Sequence, residues 1–357
     1  MALSATLPGP LRRLYRRIRG AKPKGRAAIS LPDLEVRVQR DIQDELQSLS
    51  KWVPDVRVDA SGNDGLAPFD VRLSREGDGF VVHVPGSMGR GLVKGPLFRR
   101  AAAYLQQFRH APSAKHMVVT VTDGHLPGTY RFSPSTASPS VIPIPDPFFF
   151  RDYGYMRADE VFATSPDWAD RDDALVWRGA PNGMGVIATD AAMARTQGVM
   201  HRCRLVLTCQ GTEIDAGFVI PPRNNMMGYA PLLGAKGMMA QSKDRFSWGQ
   251  HRYALDIDGY SNAWDNFAVR LKLGCCVLKV DSEAGFRQWY YDRLTPWEHF
   301  VPVKWDLSDL FENYDWLRAN PNRAGEIAAA GRAVAAEMTL ERETAAGARL
   351  IEEHWNG

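Results

Sequence analysis

The chain has 357 residues, of which 45% are hydrophobic, 24% are charged and 10% are aromatic. This is the composition of a globular protein, and it excludes a wholly disordered, collagenous or coiled-coil chain. At roughly 100–200 residues per domain, the length predicts two domains or one large one. No run approaches the ~18 uninterrupted apolar residues of a transmembrane helix, and no apolar segment follows the N-terminal arginines, so a secretory signal peptide is not expected.

Positive charge is concentrated at the N-terminus. Residues 1–26 contain eight Lys and Arg and no acidic residue, whereas the rest of the chain holds 36 basic and 41 acidic residues. The body of the protein is therefore not expected to bind nucleic acid. Two interpretations of the basic N-terminal segment, residues 1–30, stay open: peripheral contact with an anionic membrane, or a solvated arm.

The first half of the chain predicts alternating helices and strands. Residues 32–51 have one charged and one apolar side and predict a helix. The predicted strands are FDVRLS, GFVVHVPG and MVVTVTDG, with the helix GPLFRRAAAYLQQF between the last two. Strand, helix and strand in this order are typical of a parallel sheet. Residues 127–147 contain six prolines and predict a stiff, irregular connection.

The second half continues the alternation. The predicted strands are ALVWRG, RCRLVLTC, HRYALDIDGY, GCCVLKVDS and HFVPVKWD. Residues 321–355 are rich in alanine and predict helix that is broken near Thr339. We therefore expect an α/β protein with two halves, residues 31–165 and residues 166–357.

The four cysteines do not form a metal-binding pattern. Cys203 and Cys209 are six residues apart, Cys275 and Cys276 are adjacent, and the sequence has no C-x-x-C. A zinc site is therefore not expected. Because GCCVLKV predicts a buried strand, we expect reduced thiols in the core of a cytoplasmic protein.

Polar residues and glycines follow several predicted strands. They are Asp123 after MVVTVT, Arg178 and Gly179 after ALVW, and Asp258, Gly259 and Tyr260 after YALDI. Ligands of open α/β sheets bind beyond the carboxyl ends of the strands. The sequence therefore predicts a binding cleft at these strand ends.

Asp256 and Asp258 form a D-x-D pair. The two residues share one face of an extended strand. In one class of glycosyltransferases such a pair holds a divalent metal against a diphosphate. The pattern is also frequent by chance, so the metal-binding interpretation is kept as an alternative.

The segment WRGAPNG places Arg178 at a strand end before a turn rich in glycine. Its guanidinium suits a diphosphate or a uracil. A structural pairing of Arg178 with a carboxylate across the turn fits the spacing equally well.

The segment DGYSNAWDNF offers Ser261, Asn262 and an aromatic platform for a sugar or nucleotide, or it is only a strand-to-helix turn. The aromatic-rich run that contains His299 is more typical of a core than of a site.

Together these segments resemble glycosyltransferase family 90. WRGAPNG, ALDIDGYSNAW, GCCVLKV and QWYYDRLTPWEHFVPVKWDLSDL follow one another in the order and spacing of that family. The family includes fungal capsule-associated xylosyltransferases, animal protein O-glucosyltransferases of the Rumi type and bacterial lipopolysaccharide-modifying enzymes. The resemblance is clearest over residues 115–336 and is closest to the bacterial branch.

This resemblance implies an inverting transferase of the GT-B fold, with two Rossmann-like halves facing across a cleft and helices at the C-terminus. Residues 31–165 would form the acceptor side, and residues 166–357 would bind a UDP-sugar. The UDP-sugar is a substrate, and neither a cofactor nor a bound metal is implied.

The resemblance also assigns roles to single residues. Asp123 matches the general base, although Thr122 stands where the family has an arginine and Gly124 and His125 replace Tyr-Pro. Arg178 matches the arginine of the W/F-R-G motif. Members of the family also have an arginine that is expected to contact the diphosphate of the donor, and Asn266 or Arg270 is its counterpart here. The candidate donor-binding residues are Arg178, Gly179, Asp258, Gly259, Tyr260, Asn262, Trp264, Asn266 and Arg270. His125 and His299 are candidates for contact with the acceptor or for support of the residues that contact the substrates.

The expected function is transfer of a sugar from a UDP-sugar to a hydroxyl of a lipopolysaccharide or another surface glycan. The expected location is the bacterial cytoplasm, with peripheral contact to the inner face of the inner membrane. Two alternatives remain: a metal-dependent D-x-D glycosyltransferase, and a catalytically degenerate member that binds carbohydrate or serves as a scaffold.

Overall fold

The computed structural model describes residues 30–61, 65–85, 97–221 and 226–356. The basic stretch of residues 1–26 lies outside these ranges, so its interpretation stays a prediction. Within the described ranges, every helix is too short or too polar to cross a lipid bilayer.

The first sheet is built from β1 to β6. Their bounds are Val56–Asp59, Asp70–Glu76, Gly79–His83, His116–Thr120, Phe132–Ser133 and Ile142–Pro143, and their spatial order is β1-β3-β2-β4-β5-β6. Helix α2, Arg100–Phe108, connects β3 to β4, as predicted. Strands β3 and β4, which α2 connects, run in the same direction, whereas β2 lies between them and is antiparallel to both. The reason is the two-residue turn at Gly77, where φ is +57°, because so short a turn joins only antiparallel strands.

Helix α1 spans Leu31–Leu49 and confirms the predicted first helix. Ser30 caps its N-terminus by accepting a hydrogen bond from the Asp33 amide, and a proline follows in the first turn. Its apolar stripe is fully buried and consists of Leu34, Val38, Ile42 and Leu46. The stripe packs beside α2 and over β1, which closes the core of the first half.

The second sheet is parallel throughout. Its strands β7 to β11 span Asp172–Gly179, Asp215–Phe218, His251–Asp256, Cys276–Val280 and Val301–Val303, in the order β11-β10-β9-β7-β8. Four of the five predicted strands are confirmed. RCRLVLTC is not a strand but lies in helix α5, His201–Cys209. A short apolar run does not distinguish the two, and parallel neighbours such as β7 and β8 require a crossover, which this helix supplies.

The remaining helices cover the sheets. Helices α3, α4, α6 and α7 span Pro147–Arg151, Met156–Phe162, Ala230–Ala235 and Asn266–Lys272, and α8 to α10 span Leu310–Ala319, Pro321–Ala336 and Leu340–His354. Thr339 caps α10, which confirms the predicted break. Helix α10 returns to pack against α2 in the first half. The four cysteines are buried free thiols, as expected.

Candidate active site

The two sheets meet where the segment after β4 touches the loop after β9. Ser261 donates a hydrogen bond from its hydroxyl to the carbonyl of Asp123 (2.5 Å). The rings of His125 and Tyr260 stack with centroids 5.0 Å apart and an interplanar angle of 22°. Asn262 accepts a bond from the Ser135 hydroxyl (2.6 Å). The structure thus brings Asp123 and His125 together with Tyr260 and Asn262, and more than 130 residues separate these two pairs along the chain.

Asp123 projects from a tight turn. Gly124 follows it with φ of +80°, and a Cβ there would lie 2.0 Å from the Ser135 carbonyl, so no other residue fits the turn. The Asp123 side chain is about one-third exposed. Its Oδ1 accepts a bond from Arg100 Nη1 (3.0 Å), and its Oδ2 has no partner among the described residues. The carboxylate is therefore held by one oxygen and open at the other.

His125 lies beside this carboxylate. Its Nδ1 is buried and has no hydrogen-bond partner in the described part of the chain. Burial lowers the pKa of His125, and the opposing attraction of Asp123 does not restore it. The imidazole is thus neutral at pH 7. In this form it stacks on the Tyr260 ring, and its Nδ1 is available to hydrogen-bond a ligand.

Arg202, which was not predicted, lies on the other side of the same loop. This residue is the second of α5. Its Nε donates to the Asp258 carbonyl (3.0 Å), and its Nη1 donates to the Ala180 carbonyl (3.2 Å) and to Asn182 Oδ1. The Nη2 of Arg202 lies against Gly259, where a Cβ would be 3.0 Å from it. This nitrogen has no hydrogen-bond partner among the described residues. Burial lowers the pKa of Arg202, against the attraction of Asp256, Asp258 and Asp123. The guanidinium stays charged and has one free donor group for an anion.

The two carboxylates of the D-x-D pair contact the ammonium group of a buried lysine. Lys279 Nζ lies 3.1 Å from Asp256 Oδ2 and 3.4 Å from Asp258 Oδ1. All three side chains are more than nine-tenths buried. Burial lowers the pKa of Lys279, but the two carboxylates more than offset it and the net shift is upward. The described residues contain no cluster of three or more His, Cys, Asp or Glu side chains suited to a metal ion.

Arg178 lies away from this cluster. Its Nη2 is 2.7 Å from Asp215 Oδ2, and its Nε donates to the Gln241 carbonyl (3.0 Å). Its Nη1 donates to the carbonyls of Trp177 and Asp215, both at 2.8 Å. Every guanidinium nitrogen thus has a protein acceptor, which is the structural pairing that the spacing had left open. The neighbouring Gly179 lies against the Trp177 ring, since a Cβ there would be 2.5 Å from it.

The two counterparts considered for the diphosphate arginine point into the protein. Asn266 donates to Asp256 Oδ1 (2.6 Å). Arg270 is buried, stacks 3.8 Å from the Trp248 ring centroid and donates to the Arg245 carbonyl. Burial lowers the pKa of Arg270 to about 10. These partners are Asp256, Arg245 and Trp248, and neither Asp123 nor Arg202 is among them.

Trp264 and His299 complete the candidate set. Trp264 is buried, and the Arg100 guanidinium stacks over its ring at 4.4 Å from the centroid. His299 accepts a bond at Nδ1 from the Thr295 amide (2.8 Å). This bond closes a turn outside the cluster, so His299 contacts none of the other candidates.

Comparisons with known proteins agree with the resemblance read from the motifs. The sequence model described as Glycosyl transferase family 90 matches residues 160–344. Asp123 lies outside this match. The loop after β9, with its Lys279 partner, and the Arg202 guanidinium lie within it.

Relatives are found among viral and animal proteins. Uncharacterized protein 035R of Invertebrate iridescent virus 3 is 32% identical over 161 residues, which is 43% of this chain and 14% of the relative. Protein O-glucosyltransferase 3 of Homo sapiens is 27% identical over 180 residues, 49% of this chain and 30% of the relative. Protein O-glucosyltransferase 1 of Rattus norvegicus is 33% identical over 82 residues, 23% of this chain and 20% of the relative. The matches thus cover less than a third of each relative, and a place in the bacterial branch stays a prediction.

Proposed function

The chain belongs to glycosyltransferase family 90, and from this premise we propose that it is an inverting transferase that moves a sugar from a UDP-sugar to an acceptor hydroxyl. The observation that carries the proposal is the pair of groups that contact the loop after β9: Asp123, whose Oδ2 has no partner among the described residues, and Arg202, whose Nη2 has none there either. A base for the acceptor and a cation for the leaving group are what a single displacement at the anomeric carbon requires.

In the proposed step, Asp123 Oδ2 takes the proton from the acceptor hydroxyl. The hydroxyl oxygen attacks the anomeric carbon from the face opposite UDP and forms the new glycosidic bond. The bond from the anomeric carbon to the β-phosphate oxygen breaks, and its electron pair leaves with UDP. Arg202 stabilises the charge that develops on the diphosphate. One displacement inverts the anomeric configuration, and no covalent enzyme intermediate forms.

The contact between the two sheets supports a GT-B arrangement. The candidate base comes from the end of β4 in the first sheet, and the proposed donor loop follows β9 in the second. Three contacts join them: Ser261 to Asp123, Tyr260 to His125 and Asn262 to Ser135. In this proposal, acceptor and donor approach from opposite sides of that junction.

We also propose that the transfer needs no divalent metal. The metal-dependent alternative requires Asp256 and Asp258 to face an ion, whereas both carboxylates contact the buried ammonium of Lys279. A cation already lies where a metal would have to bind. The positive charge on the leaving group would come from Arg202 instead.

The proposed acceptor is a hydroxyl of a lipopolysaccharide or another surface glycan, reached at the inner face of an anionic membrane. A protein hydroxyl is a second candidate, because the named animal relatives are protein O-glucosyltransferases. Both acceptors present an alcohol to the same base, so the chemical step is common to them.

The test is a screen of the full chain against UDP-glucose, UDP-xylose, UDP-galactose and UDP-glucuronate. Thermal shifts rank the donors, since a ligand at 100 times its dissociation constant adds about 2.7 kcal/mol of stability. Release of UDP is then measured with a lipopolysaccharide acceptor and with a folded protein acceptor, each with and without EDTA. Transfer that EDTA does not change supports the proposal. Loss of transfer with EDTA would favour the metal-dependent alternative, and glycan binding without turnover of any donor would favour the degenerate one.

A further inference from the structure

We infer that Arg100 is a positioning residue for the candidate base, an inference that rests on the proposed function. Arg100 is the first residue of α2, and its side chain is 17% exposed. Its Nη1 donates to two acceptors, the Val121 carbonyl (2.7 Å) and Asp123 Oδ1 (3.0 Å). One nitrogen thus fixes both the backbone that leads to Asp123 and one oxygen of its carboxylate.

This arrangement determines which oxygen of Asp123 is free. A carboxylate on a turn rotates about its side-chain bonds unless one oxygen is held. With Oδ1 bound to Arg100, Oδ2 is the oxygen left to take a proton. A misplacement of about 1 Å in a reacting group lowers the rate on the order of 10²-fold. A carboxylate held in one orientation is therefore expected to react faster than one that rotates freely.

Arg100 is itself held by the second half of the chain. Its guanidinium carbon lies 4.4 Å from the ring centroid of Trp264, in the loop after β9. Trp264 is 6% exposed, and its carbonyl accepts a bond from Gln288 (3.0 Å). Stacking on a buried, anchored indole restricts the guanidinium. The base is therefore aligned by an arginine that also contacts the proposed donor loop.

The adjacent Arg99 provides a matched control. It is the N-cap residue immediately before the same helix, but its Nη2 lies 3.4 Å from Asp41 Oδ1 on α1. Replacing Arg99 removes one positive charge and one ion pair from the same turn. Both variants lose one positive charge. A difference in kcat between Arg99→Ala and Arg100→Ala is therefore due to the position of the arginine and not to net charge.

The experiment measures UDP release by the full chain with the donor that the wild type turns over best. We expect Arg100→Ala to lower kcat by about 10²-fold, with the donor KM changed by less than about threefold. Arg99→Ala should keep the wild-type kcat. Arg100→Lys, which keeps a cation but loses the planar fork, should recover part of the rate. Guanidinium chloride at millimolar concentration should partly restore Arg100→Ala, whereas sodium chloride at equal ionic strength should not.

Three outcomes would overturn the inference. If Arg100→Ala matches Arg99→Ala while Asp123→Asn is inactive, the proposed function stands and Arg100 has no role in aligning the base. If Arg100→Ala and Arg100→Lys lose rate in proportion to a lower melting temperature, and guanidinium restores neither, Arg100 is only structural. If the wild type turns over no UDP-sugar, the proposed function fails and this inference fails with it.

Discussion

Lys279 on β10 is the register partner of Asp256 on the adjacent strand β9, and its ammonium lies 3.1 Å from that carboxylate. The same ammonium lies 3.4 Å from Asp258, whose carbonyl accepts a bond from Arg202. Asp258 also accepts a bond from Asn262 (3.1 Å). The buried lysine thus stabilises the strand end from which the proposed donor loop begins.

Replacing Lys279 with Met is expected to destabilise the protein strongly. The variant leaves two buried carboxylates without their cation, and breaking a buried ion pair in this way costs about 3–5 kcal/mol. The measurement is the free energy of unfolding in urea. Lys304→Met, at an exposed lysine, is the control and should change stability little. A loss below about 1 kcal/mol in Lys279→Met would contradict the assigned role of this ammonium.

The contact between Lys279 and the D-x-D pair could have been predicted in part from the sequence. The strand GCCVLKV was predicted correctly, and a lysine inside an apolar parallel strand requires a carboxylate neighbour. The D-x-D pair on the adjacent predicted strand supplies one. Strand order and register, which decide this pairing, come from the packed sheet and are not visible in either segment alone.

Arg202 and Arg100 were missed for different reasons. Arg202 lies in the run that was predicted as a strand, and its position at the start of a helix follows only from the crossover between β7 and β8. Arg100 is 23 residues from Asp123 in sequence, and nothing local in either segment indicates their contact. For Arg178 the spacing left a ligand contact and a structural pairing equally open, and in the structure four protein acceptors contact the guanidinium.

Stability is expected to fall as the pH rises through the range in which Asp146 titrates. Burial raises the pKa of Asp146 to about 7, against hydrogen bonds from the amides of Phe149 and Phe148. The folded state then binds more protons than the unfolded state between about pH 4 and pH 7. This group therefore contributes stability at low pH that is lost as the pH rises through 7, with a slope of up to about 1.4 kcal/mol per pH unit.

The variant Asp146→Asn tests this dependence. An amide keeps the capping acceptor for Phe148 and Phe149 but does not titrate. Urea unfolding of both proteins between pH 4.5 and 7.5 should show the wild type losing stability relative to the variant as the pH rises. Parallel curves would mean that Asp146 does not carry the effect.

Arg202 and Arg178 are expected to differ in their effect on UDP binding. Arg202→Gln should weaken UDP binding by about 1.5–3 kcal/mol, because the charge-assisted bond to the diphosphate is lost. Arg178→Gln should lower the melting temperature and leave UDP affinity unchanged, since its acceptors lie in the protein. Isothermal titration with UDP and thermal unfolding separate the two. If Arg178→Gln weakens UDP binding and Arg202→Gln does not, the motif-based assignment of Arg178 is the correct one.

Deletion of residues 1–26 is expected to reduce binding to anionic vesicles. The segment carries eight positive charges, and each charge near such a membrane contributes about 1 kcal/mol at most. Co-sedimentation with vesicles of anionic and of neutral lipid measures the effect, and turnover of a soluble acceptor should be retained. Equal binding of both forms to anionic vesicles would assign the segment to a solvated arm.

Asp123→Asn is expected to abolish most of the transfer rate without loss of structure or of donor binding. The amide preserves an acceptor oxygen for Arg100 but does not take a proton, and general base catalysis contributes on the order of 10²–10⁴ in rate. Donor affinity and melting temperature should stay close to those of the wild type. Asp292→Asn, at an exposed carboxylate outside the cleft, serves as the control. A fully active Asp123→Asn would remove this carboxylate from the mechanism and make His125 the next candidate base, because its imidazole is neutral, buried at Nδ1 and adjacent to the same cleft.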